Sequence, residues 1–127
     1  MQARQRVPTG APWAAVVGYS RAVRVGDRVY VSGTAAVGPD GGIVHRADAY
    51  LQAKRCLEII QRALSDAGAG PEHVVRTRMY VRDASLWQDV GRAHGEFFHH
   101  VLPATTMVVT GFIDDAMLVE IEAEAVI

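Results

Sequence analysis

Near the C-terminus, from Leu118 to Val126, apolar and acidic side chains alternate: Val119, Ile121, Ala123 and Ala125 against Glu120, Glu122 and Glu124. Successive side chains of a β-strand point to opposite faces, so this order gives a strand with one apolar and one carboxylate face. The first must be covered by apolar neighbours, and the second must meet water or cations. Val74 to Val81 has the complementary pattern, with Val75, Thr77, Met79 and Val81 on one side and Arg76, Arg78, Tyr80 and then Arg82 on or near the other. As neighbours, the two segments would set a basic comb against an acidic one, because facing opposite charges stabilise adjacent strands. Apart, both combs would simply be solvated. A paired polar face could instead line a subunit interface.

Helical spacing replaces alternation from Asp48 onward. Ala53, Cys56, Leu57, Ile60, Ala63, Leu64 and Ala67 recur every three or four residues, and Gly68 stops the pattern. Cys56 falls inside that stripe and reads as a buried small hydrophobe rather than a reactive thiol. A second helix is expected where Ser85 and Gln88 have capping-box spacing and Trp87, Val90, His94, Phe97 and Val101 follow, ending before Pro103. After a Pro- and Gly-bearing lead from Pro8 to Trp13, Tyr19–Val25 and Arg28–Thr34 read as strands joined by a Gly26-Asp27 hairpin turn. Pro39-Asp40-Gly41-Gly42 is a further turn before a short strand at Ile43-Val44, and Thr106–Thr110 is another strand. Strands outnumber helices and do not interleave strictly with them, which favours an α+β sheet with two helices packed on one face over a doubly wound fold.

Size bounds the rest. The 127 residues form one domain, residues 1–127, half of them apolar and enough for a core without metal or disulfide. A net charge of -1 makes nucleic acid an unlikely partner, since non-specific affinity for phosphate backbones needs a surplus of Lys and Arg. The lone cysteine and an N-terminus without an apolar leader suggest a cytoplasmic protein, and no apolar run is long enough to span a membrane.

Several chemistries lack their motifs. No glycine pattern matches a phosphate-binding loop, and the five histidines show no HExxH spacing and no CxxC accompanies them, so neither cofactor nor metal is expected. Ser20 and Ser32 lack the Gly-x-Ser-x-Gly context of a hydrolase nucleophile. Ser32 before Gly33 can present its hydroxyl and adjacent backbone to a ligand, or it can be a turn residue bonded to its own backbone.

Gly18-Tyr19-Ser20-Arg21-Ala22-Val23, Val31-Ser32-Gly33, Val74-Val75-Arg76-Thr77, Tyr80-Val81-Arg82-Asp83, Glu96-Phe97-Phe98, Pro103-Ala104-Thr105 and Val119-Glu120-Ile121-Glu122-Ala123 occur in an order and spacing that resembles the YjgF/RidA superfamily through most of the chain. The resemblance implies a chorismate-mutase-like α+β fold with a mixed sheet, and a homotrimer with small-molecule clefts between subunits. For the best-known branch it also implies hydrolysis of reactive enamines and imines to keto acids and ammonia. There, an arginine after Pro-Ala binds the substrate carboxylate, a glutamate helps activate water, and a tyrosine and a serine complete the pocket. Tyr19, Ser32, Gly33 and Glu120 match that pattern, whereas Thr105 stands at the arginine's position. Thr34 follows Ser32-Gly33 where glutamine is usual, and Gly91 and His94 stand where that branch has asparagine and tyrosine.

Losing that arginine has a definite size. A charged hydrogen bond contributes about 1.5 to 3 kcal/mol, and a threonine hydroxyl supplies one neutral bond in its place, suited to a carbonyl, amide or hydroxyl. Arg21 lies two residues from Tyr19, on the same face if both are in a strand, and is a candidate replacement cation. His94, beside Phe97 and Phe98, reads either as a hydrogen-bonded core histidine or as a proton shuttle near Glu120. Two functions therefore stand level. One is a hydrolytic deaminase with Glu120 activating water, and the other is a non-catalytic protein binding a small metabolite in the same cleft. The ribonuclease activity attached to some family members ranks far behind, because no nucleophile-base pair is apparent.

Overall fold

The computed structural model describes residues 3–127. Six strands form one mixed sheet: β1 (Arg4–Val7), β2 (Ala22–Val25), β3 (Arg28–Thr34), β4 (Val74–Val81), β5 (Ala104–Val109) and β6 (Val119–Val126). Their spatial order is β1-β2-β3-β6-β4-β5, antiparallel throughout except for the parallel β4–β5 pair. Helices α2 (Ala49–Asp66) and α3 (Trp87–Phe98) cover one face, and a short helix α1 (Ala14–Val17) precedes β2. This is the expected α+β architecture.

The C-terminal alternation organises the sheet. Val119, Ile121, Ala123 and Ala125 of β6 are buried against the helices, while the three glutamates between them stay partly accessible on the other face. Helix α2 starts at an Asp48 cap, whose carboxylate accepts from the Leu51 N–H, and stops before Gly68 at φ 84°. It buries Cys56, Leu57, Ile60 and Leu64 completely, each large side chain contributing about 1.5 to 3 kcal/mol. Burial also drives the Cys56 thiol pKa upward, in keeping with a packing role.

The two combs pair. In the β4–β6 register Arg76 faces Glu124, Arg78 faces Glu122 and Tyr80 faces Glu120. Arg78 bridges Glu122 and Glu124, each at 3.3 Å, whereas Arg76 bonds Thr106 and Arg82 donates to the Met117 and Asp114 carbonyls. Only one of the three arginines therefore neutralises the acidic comb.

Several expectations need correction. The strand before the Gly26-Asp27 turn starts at Ala22 rather than Tyr19, because Tyr19 closes the turn after α1, its N–H bonding the Ala14 carbonyl. Ile43 forms only an isolated bridge to Val37, and ahead of the Pro8–Trp13 lead β1 pairs with β2, a strand the sequence pattern does not announce. A register shift between Val74 and Arg76 makes Val74, not Val75, the buried residue. The Ser85–Gln88 capping box does not form: Asp83 caps a short 3-10 turn, Ala84–Leu86, by accepting from the Ser85 N–H, and α3 begins after it. Trp87 is exposed, Phe98 rather than Phe97 is fully buried, and Val101 lies beyond the helix. The strand expected at Thr106–Thr110 runs from Ala104 to Val109.

Candidate functional site

A β-bulge builds the first half of the site. Val31 pairs with Ala123 but Thr34 pairs with Ile121, so β3 carries one residue more than β6 between these pairs. The extra residue sits at Ser32-Gly33 and changes the alternation, which is why Val31 and Thr34, three apart, are both buried on the helix side. Glu120 projects to this point. Its carboxylate occupies the space that a Cβ on Gly33 would need, so glycine is required for the close approach rather than for its φ.

Around the bulge the polar groups are fixed by backbone. The Ser32 hydroxyl donates to the Ser20 carbonyl at 2.7 Å, and Thr34 Oγ1 donates to the Ser32 carbonyl at 2.8 Å. Arg21 Nη1 donates to the Gly33 carbonyl at 2.9 Å and to Thr34 Oγ1 at 3.0 Å. The Tyr19 hydroxyl accepts from Trp13 Nε1 at 2.8 Å and keeps its own proton for another partner. Ser32 thus bonds the backbone of a neighbouring segment rather than its own. It also borders a shallow concavity of about 240 Å³ on the open sheet face, shared with Tyr30, Arg78, Glu122 and Glu124.

Glu120 differs electrically from its two comb partners. Glu122 and Glu124 are ion-paired to Arg78, but the cross-strand neighbour of Glu120 is Tyr80, whose hydroxyl donates to Glu122. Burial raises the Glu120 pKa above the usual glutamate range, the Glu122 charge adds to the rise, and nearby Arg21 opposes it. Burial in turn lowers the pKa of the Arg21 guanidinium, while Tyr19 and Glu120 beside it act in the other direction.

Thr105 lies elsewhere in the chain. In the β4–β5 register it faces Thr77, and Thr77 Oγ1 lies 2.7 Å from Thr105 Oγ1 and 2.8 Å from His94 Nε2. Thr77 is buried on the helix face, so Thr105 turns its hydroxyl to that face, opposite the one from which Glu120 projects. Counting strands and register positions, roughly 14 Å of sheet separates the two residues. One chain therefore brings Gly33 and Arg21 to Glu120, with Ser32 next to Gly33 in the chain and Tyr19 beside Arg21, and holds Thr105 and His94 in a separate group. His94 packs on Phe98 with ring centroids 4.7 Å apart, and burial lowers its pKa, favouring the neutral ring. It is a hydrogen-bonded core histidine, and within one chain it is not beside Glu120.

Two participants were missed in the sequence. Alternation places Thr77 on an apolar face, where a threonine among Val and Met is a sign of a buried hydroxyl needing partners. Gln52, completely buried on α2, pins the strand-approach loop by donating to the Ala116 carbonyl at 2.9 Å and accepting from the Leu118 N–H at 2.9 Å. Among the described residues no group of three or more His, Cys, Asp or Glu could hold a metal ion, and no helix is long and apolar enough to cross a membrane.

Comparison with known proteins agrees with this geometry. The sequence model of the family described as endoribonuclease L-PSP matches residues 9–127. The crystal structure of Rv2704 from Mycobacterium tuberculosis, described as a member of the YjgF/YER057c/UK114 family, superposes with a TM-score of 0.89 at 41% identity, covering 98% of this chain and all of that one, 100%. An uncharacterized protein of Streptomyces coelicolor is 42% identical over 125 residues, 98% of this chain and 92% of its own. The 3-aminoacrylate deaminase RutC of Acinetobacter baylyi is 29% identical over 119 residues, 94% of each chain.

Proposed function

The chain belongs to the endoribonuclease L-PSP family, the YjgF/RidA group, and from that premise we propose that it hydrolyses a small enamine or imine, with Glu120 as the general base that activates water. One observation carries this reading. Glu120 is the comb carboxylate that Arg78 does not neutralise, and its burial against Gly33 raises its pKa toward the range where a carboxylate can take a proton at neutral pH. Glu120 takes a proton from water as the oxygen adds to the imine carbon, an enamine first tautomerising to the imine, and returns that proton to nitrogen, so that the C–N bond of the carbinolamine breaks, ammonia leaves and a carbonyl remains. Tyr19, with an unused hydroxyl proton, and Ser32, with unused lone pairs, flank the Arg21–Gly33 segment on which Glu120 rests and are the hydroxyls proposed to orient substrate. The similarity to a 3-aminoacrylate deaminase supports the reaction class.

The same reading makes the protein a cytoplasmic homotrimer. Apposing copies would bring Thr105, and His94 behind it, from one subunit toward Glu120 of the next, forming the clefts between subunits. The ribonuclease activity in the family's name is not carried over, because a chain of net charge -1 has no surplus of Lys and Arg for a phosphate backbone and no nucleophile-base pair is apparent in its sequence.

A second reading, binding without turnover, draws on Thr105. Its hydroxyl is bonded to Thr77, so this part of the wall offers a neutral grip in place of a guanidinium. The two readings separate when an amino-acid-oxidising enzyme supplies a 2-imino acid and keto-acid release is followed. The deaminase reading expects acceleration over buffer that Glu120→Gln abolishes. Wild-type protein that leaves the buffer rate unchanged refutes it for that substrate class, and activity appearing only in Thr105→Arg would identify binding without turnover as the native role.

A further inference from the structure

Arg21 has its main chain clamped on both sides. Its N–H donates to the Val7 carbonyl at 2.8 Å and its carbonyl accepts from the Ser32 N–H at 2.9 Å, so β1 and β3 hold the residue from which the side chain leaves. The guanidinium is then anchored by one nitrogen alone, Nη1, to the Gly33 carbonyl and Thr34 Oγ1. Among the described residues Nε and Nη2 make no further geometrically ideal hydrogen bond, the Tyr19 hydroxyl being the one other side-chain group close enough to bond the guanidinium, and the one buried side-chain donor without a partner is Arg76 Nε. The free edge of Arg21 therefore reaches solvent. Glu120 lies close enough to influence it electrostatically, yet the two form no ion pair. Such a cation is oriented by backbone, unneutralised, and set next to an unneutralised carboxylate.

From this placement we propose that Arg21 is an anion-binding residue of the Glu120 site, its Nε–Nη2 edge holding the carboxylate of a small 2-imino or 2-oxo acid. The fork of two N–H groups matches a carboxylate's two oxygens, and the anchored Nη1 lowers the ordering cost of the remaining edge. A carboxylate held there directs the adjacent imine carbon toward Glu120, so the cation missing at position 105 is supplied from a different element. The role in turnover rests on the reading of Glu120 as base. The anion site does not, since it can be measured without turnover.

The test uses pyruvate, an anionic 2-oxo acid, and its neutral isostere pyruvamide, titrated into the full chain by calorimetry. Wild-type protein should bind pyruvate about 10- to 100-fold more tightly than pyruvamide, the range expected for a charged bidentate contact. Arg21→Gln should lose most of that preference, with pyruvamide affinity little changed and a normal melting profile. Arg21→Lys, keeping the charge but not the fork, should retain part of it. A wild type without the preference, or Arg21→Gln with wild-type pyruvate affinity, overturns the assignment. If Arg21→Gln melts too low to assay, an Arg21 Nε–H NMR signal that pyruvate leaves unmoved overturns it instead. Glu120→Gln should still bind pyruvate. Binding through Arg21 with no imine hydrolysis would refute the deaminase reading and leave the anion site standing.

Discussion

The carboxylate of Glu120 rests against the α-carbon of Gly33, leaving no room for a side chain there. Gly33→Ala must therefore move something, and what it meets is the far end of a glutamate rather than backbone. The stability cost should be small, about 1 kcal/mol or less, read from thermal melting. Imine hydrolysis should fall at least about tenfold, because a general base works only within hydrogen-bond reach of its water. An unchanged rate would mean that Gly33 does not set the position of the base.

Titration of Glu120 should appear in both rate and stability. Only the ionised form accepts a proton, so the rate should rise with pH through a value above the usual glutamate range. In that interval the folded chain binds more protons than the unfolded chain, so ionising Glu120 lowers stability as pH climbs from the ordinary glutamate value through the raised folded one. Urea unfolding across the interval should show this slope in wild type and a flatter one in Glu120→Gln.

Thr77→Val keeps the shape of the side chain and removes the hydroxyl between His94 and Thr105. Leaving a buried imidazole nitrogen unpaired should cost about 1 to 3 kcal/mol in denaturant unfolding. His94 also has its own pH signature. Its folded pKa lies below the ordinary histidine value, so the unfolded chain takes up the proton more readily and stability falls as pH drops below that value. His94→Phe should remove this part of the acid sensitivity, as melting temperatures between neutral and mildly acidic pH will show.

Gln52→Leu tests the buried clamp beneath the loop that leads into β6. Leucine fills similar space but leaves the Ala116 carbonyl and Leu118 N–H without their partner. A loss of about 2 to 4 kcal/mol is expected in urea unfolding, with faster hydrogen exchange at the Leu118 amide. Exchange at wild-type rates would show that other contacts hold the loop.

Legibility in the sequence followed periodicity. Val119 to Val126 and the α2 stripe are readable because each repeats one environment over several turns or pleats, whereas charge alone leaves pairing and solvation of the combs as equal alternatives, and only Arg78 pairs with the glutamates. Register shifts were not readable. Val75 for Val74, and the switch that buries Thr34, each depend on one extra residue opposite a partner strand, which no local pattern reveals. Tyr19, Ser32, Gly33 and Glu120 were found as candidates through resemblance, and Arg21 by an argument from strand geometry that the structure does not support, since β2 begins after it. Arg21 is still within electrostatic reach of Glu120, but because a bulge carbonyl captures its guanidinium. The separation of Thr105 from Glu120 required the sheet order, which composition and spacing do not contain.

The Ser32-Gly33 bulge bears on how this chain tolerates length changes. Removing Gly33 would leave Val31 opposite Ala123, Ser32 opposite Glu122 and Thr34 opposite Ile121, an uninterrupted ladder with every buried residue still facing inward. A deletion that would scramble most strands is here neutral for the sheet, yet it would erase the carbonyl that anchors Arg21 and the hollow that receives Glu120. The fold does not need that residue. What that residue supplies is the Glu120–Gly33–Arg21 contact, and a shortened descendant would keep the architecture while losing it.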